Sequence, residues 1–164
     1  PDLDVTKGPA VLIGAGGAAK AIAVALLDAG APELIVLNRT EARAQTLAQA
    51  LAESFAGKIT VGSWDSRAAQ LADANVLVNS TTQGMQGQPP LDLALDDLAS
   101  GAVVMDAVYT PLLTPLLAGA QARGNPAVDG LGMLLHQARP GFAAWFGRQP
   151  EVGQALRDHV LADL

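Results

Sequence analysis

Ala10-Val11-Leu12-Ile13-Gly14-Ala15-Gly16-Gly17-Ala18-Ala19 is the stretch on which the fold turns. Four apolar residues make a short strand that ends in glycines. Ala18 to Ala29 then reads as an Ala- and Leu-rich helix. Taken as G-x-G-x-x-A, the first glycine permits a tight turn. Gly16 removes a side chain where a pyrophosphate must approach the backbone, and Ala19 lets the helix pack close to the sheet. The free amides of the helix start, with the helix dipole, bind negative charge. Ordinary strand-helix connections and S-adenosylmethionine sites use similar turns, so the ligand needs a second clue.

That clue follows the next apolar run, Leu34 to Leu37. NAD-binding domains usually place Asp or Glu there, about 20 residues beyond the glycines, to hold the ribose 2′-hydroxyl. Here the strand runs into Asn38, Arg39 and Thr40, with Arg43 one helical turn beyond Arg39. A carboxylate would repel a 2′-phosphate, whereas two guanidiniums and a hydroxyl can bind it. Thr40 also suits a helix N-cap. The pattern favours NADP over NAD.

Outward from these two features, strands and helices alternate. A helix is expected from Glu41 to Phe55, a strand at Ile59–Val61, and a short helix near Arg67–Ala72. Strands follow at Val76–Val78 and Ala102–Met105. Pro111 is expected to open a helix reaching Ala122. Ala127–Val128 is a minimal sixth strand, and helices follow at Leu131–Phe146 and Glu151–Leu161, with Pro140 expected to kink or split the first. Short loops in this order imply right-handed parallel crossovers. The expected fold is α/β: a doubly wound, mostly parallel six-stranded Rossmann sheet with helices on both faces, one domain over residues 1–164. The Asn79–Pro90 loop is the exception, long and polar, as function-bearing loops after parallel strands often are.

Composition narrows the function. Half of the 164 residues are hydrophobic but only 4% are aromatic, so the core must be Ala, Leu and Val, which suits tightly packed α/β layers. A net charge of −6 disfavours nucleic-acid and anionic-membrane surfaces. There is no cysteine, which excludes disulfides and thiolate chemistry. His136 and His159 form no metal-ligand pair, and His136 is assigned to the surface or an interface. No apolar run suits a membrane span and no signal peptide is visible, so a soluble cytoplasmic protein is expected. The start at Pro1, without Met, suits a piece of a longer protein.

Together the motifs resemble the shikimate dehydrogenase family. Gly14–Ala19, Asn38-Arg39-Thr40 and Arg43 match it. So do Asn79-Ser80-Thr81-Thr82-Gln83-Gly84-Met85, Asp106-Ala107-Val108-Tyr109-Thr110-Pro111 with Leu113-Thr114-Pro115-Leu116, and Asp129-Gly130-Leu131-Gly132-Met133-Leu134 with Gln137. They run in family order over nearly the whole chain. The resemblance implies NADPH-dependent reduction of 3-dehydroshikimate to shikimate, a step of aromatic amino-acid biosynthesis. It implies that Gly14, Ala15, Gly16, Gly17, Ala18 and Ala19 cradle the pyrophosphate. Asn38, Arg39, Thr40 and Arg43 would bind the adenosine phosphate end, and Thr81 would flank the cofactor. Ala107, Tyr109, Gly130 and Met133 would lie near the nicotinamide, with Tyr109 and Gln137 reaching the substrate. The family often carries a larger residue, such as Met, where Ala107 stands.

Residue chemistry is compatible with these roles. Tyr109 lies just past a strand's carboxyl end, where open α/β sheets bind ligands. Asp129 is a natural N-cap. Gly130 and Gly132 at a helix start cost about 1 kcal/mol each relative to Ala, which suggests close approach by another group, the nicotinamide ring being one candidate.

Hydride transfer to a ketone also needs a general acid. The resemblance implies a Lys and an Asp on an N-terminal substrate domain, and neither maps onto Lys7, Lys20 or Lys58, so no catalytic residue is assigned here. Leu134, Leu135, Phe142, Trp145 and Phe146 are many large apolar residues for the end of a small domain, and predict an exposed apolar patch facing the absent half. A homodimer is compatible with the sequence. A quinate/shikimate dehydrogenase domain and a non-catalytic NADP-sensing module are the competing readings. The NADP domain of glutamyl-tRNA reductase fits Tyr109 and Gln137 less well.

Overall fold

A computed structural model describes residues 3–163. Six strands form one sheet: β1 (Ala10–Ile13), β2 (Glu33–Leu37), β3 (Lys58–Val61), β4 (Val76–Asn79), β5 (Val103–Asp106) and β6 (Ala127–Val128). Every neighbouring pair is parallel, in the order β3-β2-β1-β4-β5-β6. This is the doubly wound arrangement expected from the sequence. Its order reverses between β1 and β4, and ligands bind beyond the carboxyl ends of strands at such a reversal.

The described residues hold five α-helices, α1 (Gly17–Asp28), α2 (Glu41–Ala52), α3 (Pro115–Ala122), α4 (Leu131–Phe146) and α5 (Gln154–Leu161); α1, α2 and α3 pack on the sheet, and α5 packs against α4. Alternating side chains of one strand feed two core layers. Leu12, Leu34, Val36 and Val76 pack with Ala19, Ala23, Ala44 and Leu47, from α1 and α2. Val11, Ile13, Leu77 and Val104 pack with Leu116, Leu117 and Ala120 of α3. β1 is buried along its whole length, as a central parallel strand must be. Toward the β3 edge, Glu33 of β2 accepts bonds from Lys58 Nζ at 2.9 Å and Thr60 Oγ1 at 2.7 Å. These donors, Lys58 first, hold its carboxyl below its ordinary value.

Two expectations at prolines need correction. The third helix begins at Pro115, not Pro111. The tripeptide Thr-Pro-Leu occurs twice, at 110–112 and 114–116, and the second copy is the helix start. Thr114 is buried and its hydroxyl accepts from Leu117 N at 3.3 Å, with Pro115 in the first turn, where a missing N–H costs nothing. Pro140, in turn, does not split α4, which runs through it as one helix. The carbonyl freed by the proline belongs to His136. Both residues are exposed, so water can serve that carbonyl.

Candidate functional site

The glycine turn sits at the reversal point. Gly14 has φ +110°, which favours glycine, and its N–H donates to Leu37 O of β2 at 2.8 Å. A Cβ there would stand 2.6 Å from Ser80 Oγ and 3.0 Å from Thr81 Cγ2, so the loop after β4 demands glycine as much as the turn does. Ser80 in turn bonds Ile13 O through both its N (2.9 Å) and its Oγ (2.7 Å). Gly16 and Gly17 are different: nothing lies within 4 Å of a Cβ at either. They are exposed, and no side chain caps α1. The first amides of the helix are thus left for an outside acceptor. Ala19, fully buried, lets α1 lie flat on the sheet.

Beside it is the end of β2. Asn38 Nδ2 donates to Thr40 O at 2.7 Å and folds the loop back on itself. Thr40 occupies the N-cap position of α2, but its side chain makes no capping bond; the expected cap is positional only, and its hydroxyl stays exposed. Arg39 and Arg43 are exposed. The ion pairs among the described residues are Lys7–Asp4, Lys58–Glu33, Arg67–Asp92 and Arg157–Asp129, so neither arginine has a carboxylate. Arg43 shares a cleft of about 420 Å³ with Ala15, Gly16, Gly17 and Lys20.

A second cleft, about 410 Å³, lies beyond β4 and β5. It brings together Ala18, Thr81, Ala107, Tyr109 and Met133, five residues singled out from the sequence. Beneath it lies a buried polar network whose roles the sequence reading did not assign. Asn79 Oδ1 accepts from Thr81 N (3.0 Å) and Thr81 Oγ1 (2.7 Å), while its Nδ2 donates to Gln83 O (3.1 Å) and Asp106 Oδ1 (2.9 Å). Asp106 also accepts from Val108 N (3.0 Å) and Thr114 Oγ1 (2.7 Å). Asn79 and Asp106 thereby join the two walls of the cleft, Ser80–Thr82 and Ala107–Thr110. Burial pushes the Asp106 carboxyl above its ordinary value, against the pull of its bonds to Thr114, Val108 and Asn79. The available signal was a polar residue closing each of two apolar strands, Val-Leu-Val-Asn and Val-Val-Met-Asp.

The α4 residues divide. Met133 reaches the second cleft; Gln137, one turn on, is exposed and does not line it. The close approach suggested for the two glycines needs correction. Gly130 is buried, and a Cβ on it would lie 2.6 Å from Ala107 C and Val108 O, with Ala107 O nearer still. The group that crowds it is the chain's own backbone. Gly132 has nothing near it. Asp129 does cap α4, accepting from Leu131 N at 3.1 Å, and it grips Arg157 of α5 at 3.1 and 2.5 Å.

An apolar groove of about 430 Å³ opens between α1 and α4, over Val78, Met105 and Val128, and His136 stands at its rim. Of the five large apolar residues expected to be exposed, Trp145 (81%) and Phe146 (64%) are, at the end of α4, while Leu134, Leu135 and Phe142 are half-buried. Among the described residues, no three His, Cys, Asp or Glu side chains gather as a metal site. No helix among the described residues is long and apolar enough to cross a membrane.

Residues 3–86 match the model of the shikimate / quinate 5-dehydrogenase family. The chain is 56% identical to the shikimate dehydrogenase (NADP(+)) of Rhodospirillum rubrum over 161 residues, covering 98% of this chain and 57% of that one. It is 53% identical to the protein of the same name from Paracoccus denitrificans over 162 residues, 99% of this chain and 56% of the other. The chain thus spans little more than half the length of these relatives. Among solved structures, it resembles the shikimate 5-dehydrogenase of Thermus thermophilus in complex with NADP(H) and shikimate (TM-score 0.74, 34% identity, 89% of this chain and 52% of that one). It also resembles the quinate dehydrogenase of Corynebacterium glutamicum in complex with NAD (TM-score 0.87, 31% identity, 95% and 55%).

Proposed function

This chain belongs to the shikimate/quinate 5-dehydrogenase family, and we propose that it is the NADP-binding domain of a shikimate dehydrogenase, an enzyme that reduces 3-dehydroshikimate to shikimate with NADPH. The observation that carries the cofactor is the pair Arg39 and Arg43, free of carboxylates, beside a glycine turn open at Gly16 and Gly17. An acid at the end of β2 would mark NAD, and none stands there.

In this reading Gly14, Ala15, Gly16, Gly17, Ala18 and Ala19 hold the pyrophosphate through backbone amides. Asn38 shapes the β2 loop, and Arg39, Thr40 and Arg43 take the 2′-phosphate. Thr81, Ala107 and Met133 flank the nicotinamide, with Gly130 setting the distance between α4 and the Ala107 wall. The bound cofactor would supply the hydride. Tyr109, the chain's sole tyrosine, offers a hydroxyl to a polyhydroxy acid in the second cleft, and Gln137, exposed on α4 outside the lining of that cleft, would reach the same substrate from there. No lysine lines that cleft: Lys7 and Lys58 are paired with Asp4 and Glu33, and Lys20 faces the first cleft. We therefore assign the proton donor to a substrate domain within the part of the longer relatives that this chain does not match.

Titration of the chain with NADPH and NADH tests the reading. NADPH is expected to bind more tightly. Replacing Arg39 and Arg43 together by Ala should weaken NADPH about tenfold or more, as loss of a charge-assisted contact does, and leave NADH nearly unchanged. Equal affinity of the unaltered chain for both cofactors would overturn it.

A further inference from the structure

We propose that Lys20 is a third cation of the adenosine-phosphate site, so that a cofactor's 2′-phosphate is held from α1 as well as from α2. The inference rests on the NADP reading above and deepens it. Lys20 does not belong to the glycine turn. It lies inside α1, its N–H already bonded to Gly16 O at 3.1 Å, and its side chain lines the cleft that Arg43 enters from the other side. The wall opposite is one stripe of α2: Arg43, Thr46, Leu47 and Ala50, at the i, i+3, i+4, i+7 spacing of a single helix face. Lys20 and Arg43 therefore face one space between two parallel-running helices.

The charge distribution gives that space a sign. The chain is acidic overall, yet no carboxylate lines this cleft. Glu41, the acid nearest in α2, receives Gln45 Nε2 at 2.8 Å, and Asp28 lies at the far end of α1. Elsewhere basic groups are occupied, except Arg148, which is exposed just past the end of α4. Lys7, Lys58, Arg67 and Arg157 are in ion pairs, while Arg123 and Arg139 donate to backbone carbonyls. Lys20, Arg39 and Arg43 have no acidic partner among the described residues, and all three lie around the carboxyl ends of β1 and β2. Like charges facing each other across a cleft without a counter-ion are a binding arrangement for an anion. A phosphate monoester, with close to two negative charges at neutral pH, is the anion that separates NADPH from NADH.

The test is titration of the wild-type chain, Lys20→Gln and Lys20→Arg with NADPH, NADH and adenosine 2′,5′-bisphosphate. Lys20 is exposed, so these variants keep the fold. Lys20→Gln is expected to weaken NADPH and the bisphosphate about fivefold and NADH less than twofold. Lys20→Arg should restore wild-type binding of all three. Equal loss for NADPH and NADH would place Lys20 on the shared pyrophosphate, and no loss would make it a solvated side chain; either overturns the proposal while leaving the NADP reading intact. Wild-type protein with no preference for NADPH would overturn both.

Discussion

Asp106→Ala is expected to destabilise the fold by about 3 kcal/mol or more. The substitution strands the N–H of Val108, the hydroxyl of Thr114 and one N–H of Asn79. Each buried donor left without an acceptor costs about 1–3 kcal/mol. Relief from burying a carboxylate, 3% exposed here, returns part of that sum. Urea denaturation measures the difference; an Ala variant within about 1 kcal/mol of wild type would mean that the network is not what holds β4, β5 and α3 together. Asp106→Asn separates charge from bonding. The amide can still accept from Asn79 and Val108, so its loss should be smaller.

The pH dependence of that comparison has a definite sign. Burial raises the folded-state pKa of Asp106 above its ordinary 3.8, so the folded chain holds this proton more tightly than the unfolded chain. The stabilisation it gives is complete below 3.8 and is lost as pH rises through the raised value. The wild-type advantage over Asp106→Asn should therefore shrink between acid and neutral pH. An advantage that grows over that range would contradict the assignment.

Gly130→Ala is the second large effect. The new methyl would stand 2.6 Å from two backbone atoms, Ala107 C and Val108 O, neither of which can swing aside like a side chain. Overpacking of this kind costs about 1–3 kcal/mol, and the upper end is expected where backbone must move. Because α4 must shift away from the Ala107 wall, Met133 moves with it, and NADPH binding should weaken alongside stability. Gly132→Ala is the control. Nothing lies within 4 Å of a Cβ there, so the helix gains up to about 1 kcal/mol in propensity. If the two alanines behave alike in denaturation and NADPH titration, the packing account of Gly130 is wrong.

What could be read from the sequence was what is local. The glycine turn declares itself because strand, glycines and helix are contiguous, and Arg39 and Arg43 lie one helical turn apart. The fold followed from alternation and short connections. The network under the second cleft was not legible in the same way. Asn79 and Asp106 are 27 residues apart and meet only because β4 and β5 are neighbours in register. The partner of Gly130 lies on another strand's extension, so its glycine could be noticed but its crowding could be blamed on a ligand. The misplaced start of α3 had a subtler cause. Two Thr-Pro-Leu segments compete, and the winner is the one whose threonine finds Asp106.

The backbone of Val108 carries both of the large effects. Its N–H donates to Asp106 at 3.0 Å, and its carbonyl accepts from Gly130 N at 3.3 Å. Substitutions at 106 and 130 thus act on one piece of backbone from opposite ends, and their costs cannot simply add. Once either change has loosened the backbone at Val108, the other has less order left to destroy. A lineage that has already accepted alanine at 130 would find 106 cheaper to change than one that has not, so the order in which the two positions drift decides which histories the fold permits.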